Sequence, residues 1–140
     1  MSSINFFSED IDFSLSKEKI IASWIEQTIF KEDKKPNEIT YVFCSDEYLH
    51  NINLTYLNHD TFTDIITFDY TEKNIINSDI FISIDRVKDN AKKYNNTFEN
   101  ELHRVIIHGV LHLLGYKDKS SEETKEMRAK EDFYLSLLSI

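Results

Sequence analysis

Glycine, proline, cysteine and tryptophan are scarce here: the 140 residues hold two, one, one and one of them. The single Cys44 has no partner for an internal disulfide, and a cytoplasmic setting is expected. No dinucleotide cofactor is expected. No stretch approaches the roughly 20 apolar residues needed to cross a bilayer. The N-terminus also lacks a basic-then-apolar signal region, so no membrane partner is expected. Basic residues are few as well, 16 Lys and Arg against 25 Asp and Glu, a net charge of −9. Bulk electrostatic capture of nucleic acid is disfavoured, because phosphate contacts draw on Lys and Arg. Basic character is local: Arg86, Lys88, Lys92 and Lys93 fall around one predicted helix. Arg104, Lys117 and Lys119 bracket a histidine motif.

What is present fits one globular α+β domain over residues 1–140: 41% apolar residues and 13% aromatics. A strand is predicted over 4–7 and a helix over about 17–30, with Ser16 as its cap. A loop follows at 34–37 around Pro36. Strands are predicted over 38–44, 63–70 and 79–84, with a short helix capped by Ser45 or Asp46 after the first. The latter two strands read as a hairpin joined by residues 71–78. The remainder reads as helices: 85–94, one opened by an Asn96/Glu99 capping box, and one opened by Ser120/Glu123. Strands followed by a helical block predict a mixed four-stranded sheet covered by helices, with a buried central helix.

Both glycines lie in one run, His108-Gly109-Val110-Leu111-His112-Leu113-Leu114-Gly115-Tyr116-Lys117-Asp118. Histidines four apart share one face of a helix. Gly115 stands where a left-handed residue would end that helix and let the chain turn back with Asp118. Two imidazoles, one carboxylate and a free fourth position make the ligand count of a catalytic zinc site. The bare pair fits a core-edge pair of histidines equally well; the glycine stop and the following acid favour the metal. A metalloprotease helix would carry glutamate after the first histidine, and Gly109 stands there instead. The benefit of Gly109 is room, for close packing or for substrate approach.

This motif resembles that of the YbeY family of bacterial rRNA maturation factors, zinc-dependent endoribonucleases. Ile52-Asn53-Leu54-Thr55-Tyr56, Thr63-Asp64-Ile65-Ile66-Thr67-Phe68 and Asp79-Ile80-Phe81-Ile82-Ser83 resemble further family segments, as do Met127 and Glu131. The resemblance implies a Zn2+ ion held by His108, His112 and Asp118. It also implies cleavage of single-stranded RNA during maturation of the 16S rRNA 3′ end, with ribosomal RNA and the small ribosomal subunit as partners. Three positions depart from the family. Asp118 replaces a usual histidine, a harder ligand that also admits Mn2+ or Ni2+, and Leu57 replaces a usual arginine. His59 replaces a usual lysine. No general base is assigned: Asp64 and Glu101 are candidates, each with an ordinary reading as a strand-end or helix-surface acid. The alternative reading is a ribosome assembly factor without catalysis, whose metal is structural.

Overall fold

The computed structural model describes residues 2–140. The elements run β1 (Ser3–Glu9), α1 (Glu18–Lys31), β2 (Lys35–Cys44), α2 (Asp46–Leu57), β3 (Ile65–Asp69), β4 (Ile75–Ser83), α3 (Ile84–Lys93), α4 (Phe98–Leu113) and α5 (Ser121–Ser136). The four strands form one mixed sheet in the order β1-β2-β4-β3. β1 and β4 flank β2 in parallel, and β3 closes the edge antiparallel to β4. The α+β architecture with a mixed four-stranded sheet is as expected.

Alternation along the strands builds two unequal cores. Ile39, Tyr41 and Phe43 of β2 and Ile76, Ile80 and Ile82 of β4 join α1 and α4 in the large one. Cys44, Leu49 and Ile66, with Ile52, Phe68 and Phe81 against them, make a small one under α2. α4 is the buried central helix, with nine buried residues along it. It is fastened to the sheet by a buried tyrosine, Tyr41, whose hydroxyl donates to the Ile106 carbonyl at 3.1 Å.

Several boundaries differ from expectation, for local reasons. α1 is preceded by Lys17 in a left-handed conformation with no side-chain cap, not by Ser16. α4 is capped by Thr97, whose hydroxyl accepts from the Asn100 N–H. Asn96 sits one residue earlier and accepts from the Thr97 N–H. β2 includes Pro36, read as loop. Its register shifts between Pro36 and Ile39, and such an irregularity is where a strand tolerates proline. β4 starts at Ile75, so the hairpin loop is shorter than 71–78. The Ser45 cap and the Ser120/Glu123 capping box are present as expected.

Candidate metal centre

Burial of α4 gives His108 and His112 a fixed base. Gly109 lies between them and the sheet. A Cβ there would stand 3.0 Å from Ile65 Cδ1 and 3.4 Å from Ile80 Cδ1, so the missing methyl serves close packing. After Leu114 the helix ends in a Schellman turn. Gly115, at φ 104°, donates its N–H to the His112 carbonyl, and Tyr116 donates to that of Leu111, both at 3.0 Å. The reversal is then tied down: the Tyr116 hydroxyl donates to Glu32 at 2.6 Å at the end of α1. Glu32 also accepts from the Tyr134 hydroxyl and from Lys130, both on α5. Two residues past Tyr116, Asp118 comes back beside α4.

Three donor atoms thereby converge. His108 Nε2 and His112 Nε2 are 3.0 Å apart, and Asp118 Oδ2 is 3.3 Å from the first and 3.4 Å from the second. Atoms bonded to one tetrahedral ion at about 2.0–2.2 Å sit roughly 3.3–3.6 Å apart. The cluster can hold a metal ion: its donor types suit one, and Asp118 meets that spacing to both histidines, while the two histidine nitrogens stand slightly closer together.

Behind His108 stands Glu131 of α5, 5% exposed. Its Oε2 is 2.7 Å from His108 Nδ1. That contact places the ring proton on Nδ1 and leaves the Nε2 lone pair facing His112 and Asp118. The other oxygen of Glu131 accepts from Arg104 Nη1 at 2.7 Å, and Arg104 Nη2 reaches Asp132 at 2.6 Å. Burial disfavours charge on both partners. The hydrogen bond and charge of the pair outweigh it, raising the His108 pKa and lowering that of Glu131. His112 is lowered, by burial first and then by the charge of His108.

The centre opens into a cleft of about 430 Å³ that reaches from the start of β3 to α5. Asp64 and Glu101, the two acids weighed as general base, both line it. Burial pushes the Asp64 carboxyl above its ordinary range, with His108 pulling the other way. Glu101 is only 7% exposed, so it is no helix-surface acid. Leu57 and His59 are exposed and do not line the cleft, nor do Lys117 and Lys119.

The family model for Endoribonuclease YbeY matches residues 3–139. The chain belongs to the YbeY family. A Flavobacterium johnsoniae protein named Endoribonuclease YbeY is 52% identical over 134 residues, 96% of each chain. A Cytophaga hutchinsonii protein of the same name is 53% identical over 135 residues, 96% of this chain and 94% of that one. The solution structure of TM1509 from Thermotoga maritima superposes with a TM-score of 0.68 at 28% identity, covering 96% of this chain and 87% of that one. Asp118, noted in the sequence as a departure from the resemblance, brings its carboxylate beside both histidine nitrogens and so joins the cluster.

Glu131 is the site residue whose role sequence reasoning missed. Its signal was available: with Met127 and Tyr134 it forms the buried stripe of α5, and an acid on an apolar stripe calls for a partner.

Proposed function

We propose that this chain is a zinc-dependent endoribonuclease for single-stranded RNA, acting in the cytoplasm as one domain of residues 1–140. Its proposed substrate is ribosomal RNA, at the 3′ end of 16S rRNA on the small subunit. The observation that carries the reading is the convergence of His108 Nε2, His112 Nε2 and Asp118 Oδ2 at 3.0–3.4 Å at the edge of an open cleft. The relatives' name, Endoribonuclease YbeY, supports the choice of reaction.

His108, His112 and Asp118 would hold the ion. When bound, a divalent ion supplies Lewis acidity, polarising a phosphoryl oxygen and acidifying water. The chain's own contributions follow from the geometry. Glu131 fixes the ring of His108 through Nδ1. An ionised carboxylate of the cleft wall, Asp64 or Glu101, would accept a proton from the attacking water as the new phosphorus–oxygen bond forms and the bond to the leaving oxygen breaks. The departing oxygen takes up a proton from solvent water, and the cut strand gains one terminal phosphate. Zinc suits two imidazoles and a carboxylate; the hardness of the carboxylate also admits Mn2+ or Ni2+.

The test pairs elemental mass spectrometry with cleavage of matched single- and double-stranded oligoribonucleotides. One zinc per chain and cuts confined to the single strand are expected, with both lost in His112→Ala. Zinc-loaded protein that leaves RNA intact, or a His112→Ala variant that cuts at the parent rate, would sink the proposal. Two observations favour the second reading, a ribosome assembly factor with a structural metal. Leu57 presents an exposed apolar side chain where an arginine is usual, and the cleft is rich in acid. Binding of the small subunit without any cut would select it.

A further inference from the structure

The cleft beside the metal centre is a poor place for a polyanion. Asp64, Glu101, Asp118 and Glu131 line it, against the two arginines Arg104 and Arg128. Arg104 is already spent: its two terminal nitrogens are held by Glu131 and Asp132 at 2.7 and 2.6 Å, and its side chain is 20% exposed. Arg128 differs on both counts. Its side chain is 58% exposed, and its one ion pair is a 3.7 Å approach to Glu131 Oε1, the oxygen that Arg104 already occupies. Among the described residues it is the cation on the cleft wall whose guanidinium is not held.

Its position is also defined. Arg128 stands one turn before Glu131 on α5, and Glu131 Oε2 contacts His108 Nδ1 at 2.7 Å. The same helix face brings Thr124 and Met127 to the cleft. The guanidinium therefore hangs over the opening a short step from the histidine cluster. A planar fork of N–H donors matches two non-bridging oxygens of a phosphodiester, which an ammonium does not.

We propose that Arg128 is a substrate-binding residue that grips a backbone phosphate of single-stranded RNA beside the bond to be cut. This rests on the ribonuclease reading above. The contact offsets the acid of the cleft wall and orients the strand along α5.

The experiment uses the zinc-loaded protein and an unstructured oligoribonucleotide, with kcat and KM measured across a series of salt concentrations. For Arg128→Ala, KM should rise about tenfold, as for loss of a charged hydrogen-bonding contact, with kcat nearly unchanged. The slope of log(kcat/KM) against log salt should flatten by about 0.7, the value of one phosphate on a single strand. Arg128→Lys should keep the slope and recover only part of KM. Lys125→Ala removes the same charge from the same helix at an exposed position that does not line the cleft, and should change neither. The proposal is overturned if Arg128→Ala cuts RNA with unchanged KM and slope, or if Lys125→Ala has the same effect. If the parent protein itself neither binds nor cuts RNA, the ribonuclease reading fails and takes this proposal with it.

Discussion

Glu131→Gln isolates what a buried carboxylate does for the metal centre. Glu131 has two jobs, accepting from His108 Nδ1 at one oxygen and from Arg104 at the other, each at 2.7 Å. A glutamine keeps the shape but can accept at one of these positions only, because its other terminus is an N–H donor. With the amide nitrogen toward His108, the imidazole must carry its proton on Nε2, the atom that faces His112 and Asp118. With the nitrogen toward Arg104, two donors meet and the residue is pushed out of place. Either arrangement spoils the ligand. Loss of such an outer partner costs tenfold to a hundredfold in metal affinity, or about 1.4–2.8 kcal/mol at 1.4 kcal/mol per decade. Competition against a chromophoric chelator reads the affinity directly. Trp24, the one tryptophan, lies in the core with its N–H on the Tyr134 carbonyl at 2.8 Å, and its fluorescence reports whether α5 is still docked. Asp132→Asn is the control: it weakens the other side of Arg104 without touching His108, and zinc affinity should hold. If Glu131→Gln binds zinc within a factor of three of the parent while Trp24 is unchanged, the argument for Glu131 as the orienting group is wrong.

Two further outcomes follow from the packing and the charges. Gly109→Ala gains about 1 kcal/mol of helix propensity but sets a Cβ 3.0 Å from Ile65 Cδ1, an overpacking cost of about 1–3 kcal/mol. A net loss in thermal stability is expected, relieved in part by adding Ile65→Val, which removes that methyl; a rise in Tm for the single variant would refute it. For metal-free protein, the lowered pKa of Glu131 gives stability that is present above its ordinary 4.5 and lost as pH falls through its folded value. The raised pKa of His108 gives stability that is present below its ordinary 6.5 and lost as pH rises through its folded value. The gap in unfolding midpoint between parent and Glu131→Gln, by denaturant titration, should therefore be widest from about pH 4.5 to 6.5, and a gap that grows above neutral pH would contradict the pairing.

The histidine run was legible because its information is local. Spacing four on one helix and a glycine at the stop each translate into geometry without knowledge of the rest of the chain. The capping box at Ser120 was legible for the same reason. What stayed hidden depends on distant segments meeting. Nothing near Glu131 in sequence announces that it faces His108 on another helix, and Glu101 passes for a surface acid although the fold leaves it only 7% exposed. Pro36 misled because proline signals a loop, whereas a register irregularity between β2 and β4 accommodates it. Ser16 lost the cap to a left-handed Lys17, and Asn96 to Thr97; a choice between adjacent polar residues is set by how the preceding chain enters the helix.

The knot of hydrogen bonds around Glu32 bears on when the centre comes into being. Glu32 ends the first helix, Tyr116 leads the loop that carries Asp118, and Tyr134 and Lys130 belong to the last helix described. Glu131 arrives on that same helix. A chain made from its N-terminus forward thus has His108 and His112 in place before Glu131 is added. It gains the oriented imidazole and the braced carboxylate only when α5 has emerged and docked. For the ribonuclease proposed above, assembly order is itself a safeguard, since the cutting centre completes late on a machine built of RNA.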